Sequence, residues 1–234
     1  MRRKPSPQRS LIATWLRRIG LTLAILIALP FLLTPLYSIL NPPLTPLMVI
    51  RLTQGHHWHQ RWTPLNNIPL HAQRAVMAAE DNLFCQHEGF DWKAISRAYQ
   101  HNQRSKRTKG ASTISQQTAK NLFLWPQSSW LRKGLEVPLT WWLETTLSKP
   151  RILELYLNIA EWGPGVYGIE AAAKHHFNTR AKNLTPRQSA QLAAILPSPL
   201  RWSAKRPGPY VAMRAGRIQT RSYQLGPLFN CIKK

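Results

Sequence analysis

Carboxylates are scarce in this chain: of 234 residues only nine are Asp or Glu, and all nine fall between Glu80 and Glu170. Each is therefore worth reading for chemistry. Glu80 and Asp81 end the string VMAAED, and Phe84 and His87 follow Glu80 by four and seven residues. In a helix continuing through this stretch, Glu80, Phe84 and His87 share one face while Asp81 points away. A carboxylate beside an aromatic ring in a partly apolar pocket has its pKa raised toward neutrality and can serve as a general base. Taken alone, the fragment reads more readily as an ordinary surface Glu–Asp pair at a helix end.

A second string, GASTISQQTAKN (110–121), is more specific. Gly110 permits close backbone approach, and Ser112 or Thr113 caps a helix whose N-terminus can receive an anion. Ser112, Gln116 and Lys120 fall at i, i+4 and i+8, which aligns hydroxyl, amide and ammonium groups on one face. That row suits sugars and phosphate; a solvated polar face has the same pattern. In RKGLE, Glu136 follows Arg132 by four residues and Lys133 by three. An intrahelical ion pair accounts for this spacing, and so does a second active-site carboxylate among cations. Glu154, Tyr156 and Asn158 look structural. HHWH (56–59) lacks a second ligand cluster and reads as a solvated or interfacial loop rather than a metal site.

The elements that must position these groups read as helices. Periodicity predicts one over 70–83, and Asp91 caps another reaching about His101. The basic segment 102–112 breaks the pattern. Thr113 and Gln116 have capping-box spacing for a helix through Asn121. Ser129 caps a helix toward Leu147 that Pro138 should bend or break. Pro150 opens a helix ending near Glu161, residues 163–168 form a turn-rich loop, and a short helix follows. Thr185, Pro186 and Gln188 open one that ends before Pro197. With no alternating β pattern of any length, the class is mostly α.

Residues 19–40 carry no charge, and Arg2, Arg3, Lys4, Arg9, Arg17 and Arg18 precede them with no acid among the first 18 residues. At 1.5 Å per residue, 22 helical residues span roughly 33 Å, enough for one uncleaved transmembrane helix with a cytoplasmic N-terminus. The predicted organisation is a basic cytoplasmic tail (1–18), a transmembrane helix (19–40), a membrane-proximal linker (41–66) and one catalytic domain (67–234). The net charge of +23 calls for anionic partners: nucleic acid, an anionic membrane or a phosphate-bearing substrate. A domain facing away from the cytoplasm disfavours nucleic acid. C-terminal cations such as Arg214, Arg217 and Arg221 read as favouring the membrane surface. Cys85 and Cys231, with no CxxC spacing, read as free thiols, with a disulfide as the alternative in an oxidising compartment.

Together and in order, EDNLFCQHEGFD (80–91), GASTISQQTAKN (110–121), RKGLE (132–136), residues 149–177 and LTPRQSAQLAAILPSP (184–199) resemble the peptidoglycan glycosyltransferase family. Within it the chain is most similar to the monofunctional biosynthetic transglycosylases, related to the N-terminal domain of class A penicillin-binding proteins. The resemblance implies a lysozyme-like large lobe and a smaller membrane-proximal lobe. It implies polymerisation of a lipid-linked disaccharide (lipid II) onto a growing glycan strand, with release of polyprenyl diphosphate. Glu80 would be the general base and Glu136 the second carboxylate, acting near the pyrophosphate, with a divalent metal (Mg or Mn) admitted there and no organic cofactor. Lys120, Arg132 and Lys133 would meet the pyrophosphate. Asp81, Phe84, His87, Gly110, Ser112, Gln116, Gln117 and Asn121 would complete substrate binding. Inner-membrane lipids are implied partners, cell-wall or division proteins are admitted, and nucleic acid is not. The location implied is the bacterial inner membrane, with the catalytic domain in the periplasm. Ser128 stands where the family commonly has arginine, and Pro138 falls two residues after Glu136. A lysozyme-like hydrolase, which has no pyrophosphate to bind, and an inactive anchored scaffold are the competing readings. A transpeptidase lacks its S-x-x-K and K-T-G motifs here.

Overall fold

The computed structural model describes residues 7–105 and 109–232. Arg2, Arg3 and Lys4 of the basic tail, and residues 106–108 of the expected break, lie outside the described residues. Helix α1 (Pro7–Leu36) runs 30 residues and contains an apolar stretch, Ala13–Leu36, of 24 residues. That length can cross a hydrocarbon core. It begins and ends earlier than the uncharged run suggests. Asn41 precedes Pro42 and Pro43, where helix is disfavoured, whereas Pro30 and Pro35 are accommodated inside. The C-terminal end is docked: Trp142 Nε1 donates to the Phe31 carbonyl at 2.9 Å, and Arg151 donates to the carbonyls of Tyr37 and Leu40.

The segment expected to be a linker is structured. Helix α2 (Pro46–Thr53) and strand β1 (His59–Gln60) lie within 41–66, and Leu47, Met48 and Leu65 are buried. Pro46 opens a helix behind the cap Thr45 instead of preventing one. HHWH contributes only His59 to β1, and no metal-ligand group of three occurs among the described residues.

The remaining helices are α3 (Leu70–Glu80), α4 (Trp92–Arg104), α5 (Ile114–Phe123), α6 (Trp130–Thr146), α7 (Lys149–Ile159), α8 (Ile169–Phe177), α9 (Pro186–Ile195) and α10 (Pro209–Gln224). The mostly-α expectation holds. The caps are those the sequence marks: Asp91, Thr113 with Gln116, Ser129, and Thr185 with Gln188 each accept the expected backbone N–H. Such a cap contributes about 1 kcal/mol. Helix α6 is unbroken at Pro138, because Glu136, Leu139, Thr140 and Leu143 bury its inner face on both sides of the proline. Helix α10 is an element beyond those expected, and its buried face of Val211, Ala215, Ile218 and Ser222 has helical spacing.

The turn-rich loop 163–168 belongs to a small sheet of order β1-β3-β2, formed with β2 (Glu161–Gly163) and β3 (Val166–Tyr167). Strand β1 pairs parallel to β3, with His59 opposite Val166, and β2 pairs antiparallel. Gly165, at φ +69°, turns β2 into β3 so close to β1 that a Cβ would sit 1.9 Å from the His57 carbonyl. Strands this short leave no periodic pattern in sequence.

In the core, α3 packs on α9 and α10, while α5 lies against α6 and α7. Met77, Phe84, Ile114, Leu143, Ile152 and Tyr156 are among its fully buried side chains. Cys85 and Cys231 are not free thiols: they form a disulfide across a separation of 146 residues. Folding brings the C-terminal tail back beside the segment that follows Glu80, a proximity that spacing along the chain does not reveal.

Candidate active site

Glu80 is the last residue of α3, and the backbone leaves the helix at Asp81 with φ −160°. The shared helical face expected for Glu80, Phe84 and His87 therefore does not form. This exit sends the two adjacent carboxylates to different tasks. Asp81 turns inward, where Oδ2 accepts the Ile114 N–H at 3.0 Å, at the start of α5. His87 Nε2 meets both Asp81 oxygens at 3.0 Å while its Nδ1 accepts from Gly89 N, so the ring proton sits on Nε2. Phe84 is fully buried, with Lys149 Nζ 4.6 Å from its ring centroid. Asp81, Phe84 and His87 brace the loop behind Glu80, and Asp81 also lines a cavity beside it.

That brace continues. Thr113 Oγ1 donates to the Gly89 carbonyl at 2.6 Å, and Ser115 Oγ donates to Glu144, which pairs with Lys149 at 2.7 Å. Gly89 has φ +88°, and a Cβ there would meet Thr140 at 2.9 Å. The loop and the start of α5 are thus locked to α6, which fixes Glu80 against α5.

Gln117 reaches Glu80 from α5: Nε2 donates to Oε2 at 3.0 Å, and Oε1 accepts the Tyr156 hydroxyl at 3.1 Å. These two bonds set the amide's orientation. Burial pushes the Glu80 carboxyl up, opposed by the Gln117 hydrogen bond, Arg214 and Lys120, with Asp81 adding to the rise. Burial also pushes the Tyr156 phenol well up, so it remains a donor. Gln116, by contrast, spends its carbonyl on Thr113 N in the capping box. The expected row of Ser112, Gln116 and Lys120 is therefore reduced at its centre.

The cations gather nearby. Arg132 Nη1 and Lys133 Nζ both bind Glu136, the latter at 2.7 Å, and Lys133 also donates to Ser112 Oγ at 3.1 Å. Arg132 is buried and donates through Nε to the Gln127 carbonyl at 2.8 Å. Burial and then Arg132 push the Lys120 ammonium down; Glu136 opposes this, Lys133 adds to it and Glu80 opposes it. The Glu136 carboxylate is committed to two cations, and no group of three His, Cys, Asp or Glu suited to a metal occurs among the described residues. This donor set does not fit Mg or Mn, because a divalent ion at Glu136 would have to displace an ammonium or a guanidinium.

Two cavities flank these groups. A cleft of about 290 Å³ is lined by Gln117, Lys120, Asn121, Tyr156, Arg51 and Glu161 among others. A smaller one of about 170 Å³ is lined by Glu80, Asp81, Arg97, Gly110, Ser112 and Thr113 among others. Glu80 lines the smaller space, and its hydrogen-bond partner Gln117 lines the cleft. Sequence reading missed Tyr156 as a reaching group, the bidentate Arg51–Glu161 pair at the cleft and Arg214 beside Glu80. The helical spacing of α10 was the one signal for Arg214.

The transglycosylase family model matches residues 48–222 of this chain. A biosynthetic peptidoglycan transglycosylase of Caulobacter vibrioides is 50% identical over 194 residues, covering 83% of this chain and 85% of that protein. One from Rhodospirillum centenum is 49% identical over 213 residues, covering 91% and 92%. One from Pseudomonas aeruginosa is 51% identical over 191 residues, covering 79% and 82%.

Proposed function

Because the chain belongs to the transglycosylase family, it is a peptidoglycan glycosyltransferase of cell-wall synthesis, and we propose that Glu80 is the general base of its polymerisation step. The observation that carries this reading is a brace-held carboxylate that lines the smaller cavity, next to the cleft of Lys120, with one oxygen bound by Gln117 and the other without a hydrogen-bond partner among the described residues. The acceptor is a lipid-linked disaccharide, lipid II. Its sugar 4-hydroxyl loses its proton to Glu80 as the oxygen attacks the anomeric carbon of the growing strand. The bond from that carbon to the polyprenyl diphosphate breaks, with inversion, and the diphosphate leaves with the electron pair.

Lys120 and the half-exposed Lys133 meet the negative charge that develops on the diphosphate. Arg132 acts more indirectly, by holding Glu136 and so Lys133. Gly110, Ser112, Gln117 and Asn121 line the spaces where sugar and phosphate are positioned. Donors placed in a partly dehydrated site act more strongly on such charge than they would in water. No step is assigned to a divalent metal.

A single-pass anchor with its N-terminus in the cytoplasm and the domain in the periplasm fits the uncharged part of α1 from Ile19 onward and the cations that precede it. The Cys85–Cys231 disulfide supports it, since such bonds persist in oxidising compartments. A C-terminal reporter active only in the cytoplasm should stay silent, and a working reporter would reverse the topology. The catalytic reading is tested by incubating full-length Glu80→Gln with labelled lipid II, with and without a muramidase. Losing a positioned base costs about 10²–10⁴ in rate, so little muramidase-sensitive product should form. Wild-type turnover would remove Glu80 from the role.

A further inference from the structure

Arg214 stands apart from the other C-terminal cations. Its Nη2 lies 3.5 Å from Glu80 Oε1, and the two side chains are 27% and 12% exposed. Arg217 and Arg221, on the same helix, are exposed. The pair has an unusual form. Glu80 Oε1 is buried with no hydrogen-bond partner among the described residues, and so is Arg214 Nε. A guanidinium at hydrogen-bonding distance would take up one of the lone pairs of Oε1 and compete with the incoming proton. At 3.5 Å the positive charge still favours the carboxylate, and the lone pair stays open.

Helix α10 is held where this requires. Its buried face packs on α3 and α9, and the tail beyond it is tied through Cys231 to Cys85, five residues after Glu80. The groups facing Glu80 are few. Helix α5 supplies Gln117 and Lys120, α10 supplies Arg214, and Asp81 is the adjoining residue. Tyr156 of α7 reaches it through Gln117. Helix α9 presents no charged group to it among the described residues.

We propose that Arg214 is a positioning residue for catalysis, supplying the counter-charge that keeps the buried Glu80 carboxylate ionised while leaving Oε1 free to take the proton. This rests on the reading of Glu80 as general base. Without Arg214, burial is less opposed and the carboxyl holds its proton to higher pH. The loss is then greatest in acid and recovers in alkali.

The test is kcat/KM of the full-length protein in detergent, with lipid-linked disaccharide, from about pH 5 to 9. Arg214→Gln should lose about tenfold or more at the acid end and approach wild type at the alkaline end. Arg214→Lys should largely restore the acid limb. Thermal melts establish that both variants fold; if Arg214→Gln does not, Arg214→Lys carries the test through its own acid limb. A loss uniform across pH, or Arg214→Lys no better than Arg214→Gln, would overturn the proposal. Glu80→Gln run alongside separates the causes. If it is inactive while Arg214→Gln loses activity uniformly, only the Arg214 role falls. If it is active, the base assignment falls and takes this proposal with it.

Discussion

Arg132→Met isolates a buried charge and so asks what RKGLE is for. Glu136 is 1% exposed and Arg132 5%. The guanidinium binds Glu136 and the Gln127 carbonyl at once, joining α6 to the turn before it. Methionine keeps an apolar stem of similar length but removes the charge. Glu136 would retain only Lys133, whose side chain is 43% exposed. Breaking one partner of a buried pair costs about 3–5 kcal/mol, and the remaining ammonium offsets part of that, so we expect about 3 kcal/mol. In a domain of this size that is a fall in Tm of roughly 6–12 °C. Adding Glu136→Gln removes the stranded charge, and the double variant should regain about 2 kcal/mol over Arg132→Met. Thermal and urea unfolding in detergent, followed by tryptophan fluorescence, would measure these two variants and Glu136→Gln alone. Additive costs would show that the two charges are not coupled and that Arg132 is free to serve the diphosphate alone. Polymerisation should be lost in both the Arg132 single and the double variant. Agreement on activity but not on stability is the signature of a pair that positions Lys133.

Other outcomes follow from the same geometry. Glu80→Gln should melt at or above wild type at neutral pH. The folded carboxyl is raised by burial, so the native state holds more protons than the unfolded chain above the ordinary value of 4.5, and wild-type stability falls as pH rises through that window. Removing the disulfide with Cys85→Ser and Cys231→Ser should lower stability by up to about 5 kcal/mol from the closed loop of 146 residues, and unchanged unfolding in denaturant would count against the bond. Lys120→Ala should lower activity in detergent and bilayer alike, whereas neutralising the exposed Arg217 and Arg221 should matter only in anionic bilayers, by about 1 kcal/mol each. Equal behaviour of the two sets in detergent would remove Lys120 from the diphosphate.

The chain's local chemistry was enough to determine its class, most of its helices and their caps. Thr113 with Gln116, Thr185 with Gln188, Asp91 and Ser129 each satisfy an N–H within three residues, an interaction that needs no distant partner. The uncharged run likewise marks α1 from composition alone, although its ends depend on Pro42, Pro43 and on docking to Trp142 and Arg151. Glu80, Lys120 and Glu136 were legible as candidates because acids are scarce here and the strings around them are specific. Their division of labour was not. Asp81 and His87 turn inward because α3 stops at Glu80, a stop that helical periodicity through Leu83 hides. Gln117 becomes the ligand of Glu80 only when α5 lies across the end of α3, 37 residues apart in sequence. Arg214 is one cation among 32 Lys and Arg residues until α10 folds back on α3, and Cys85 and Cys231 read as two thiols until the same return brings them together. Hydrogen bonds inside a helical turn are encoded locally, whereas a counter-charge or a disulfide depends on distances between remote segments that only packing of the whole core can set.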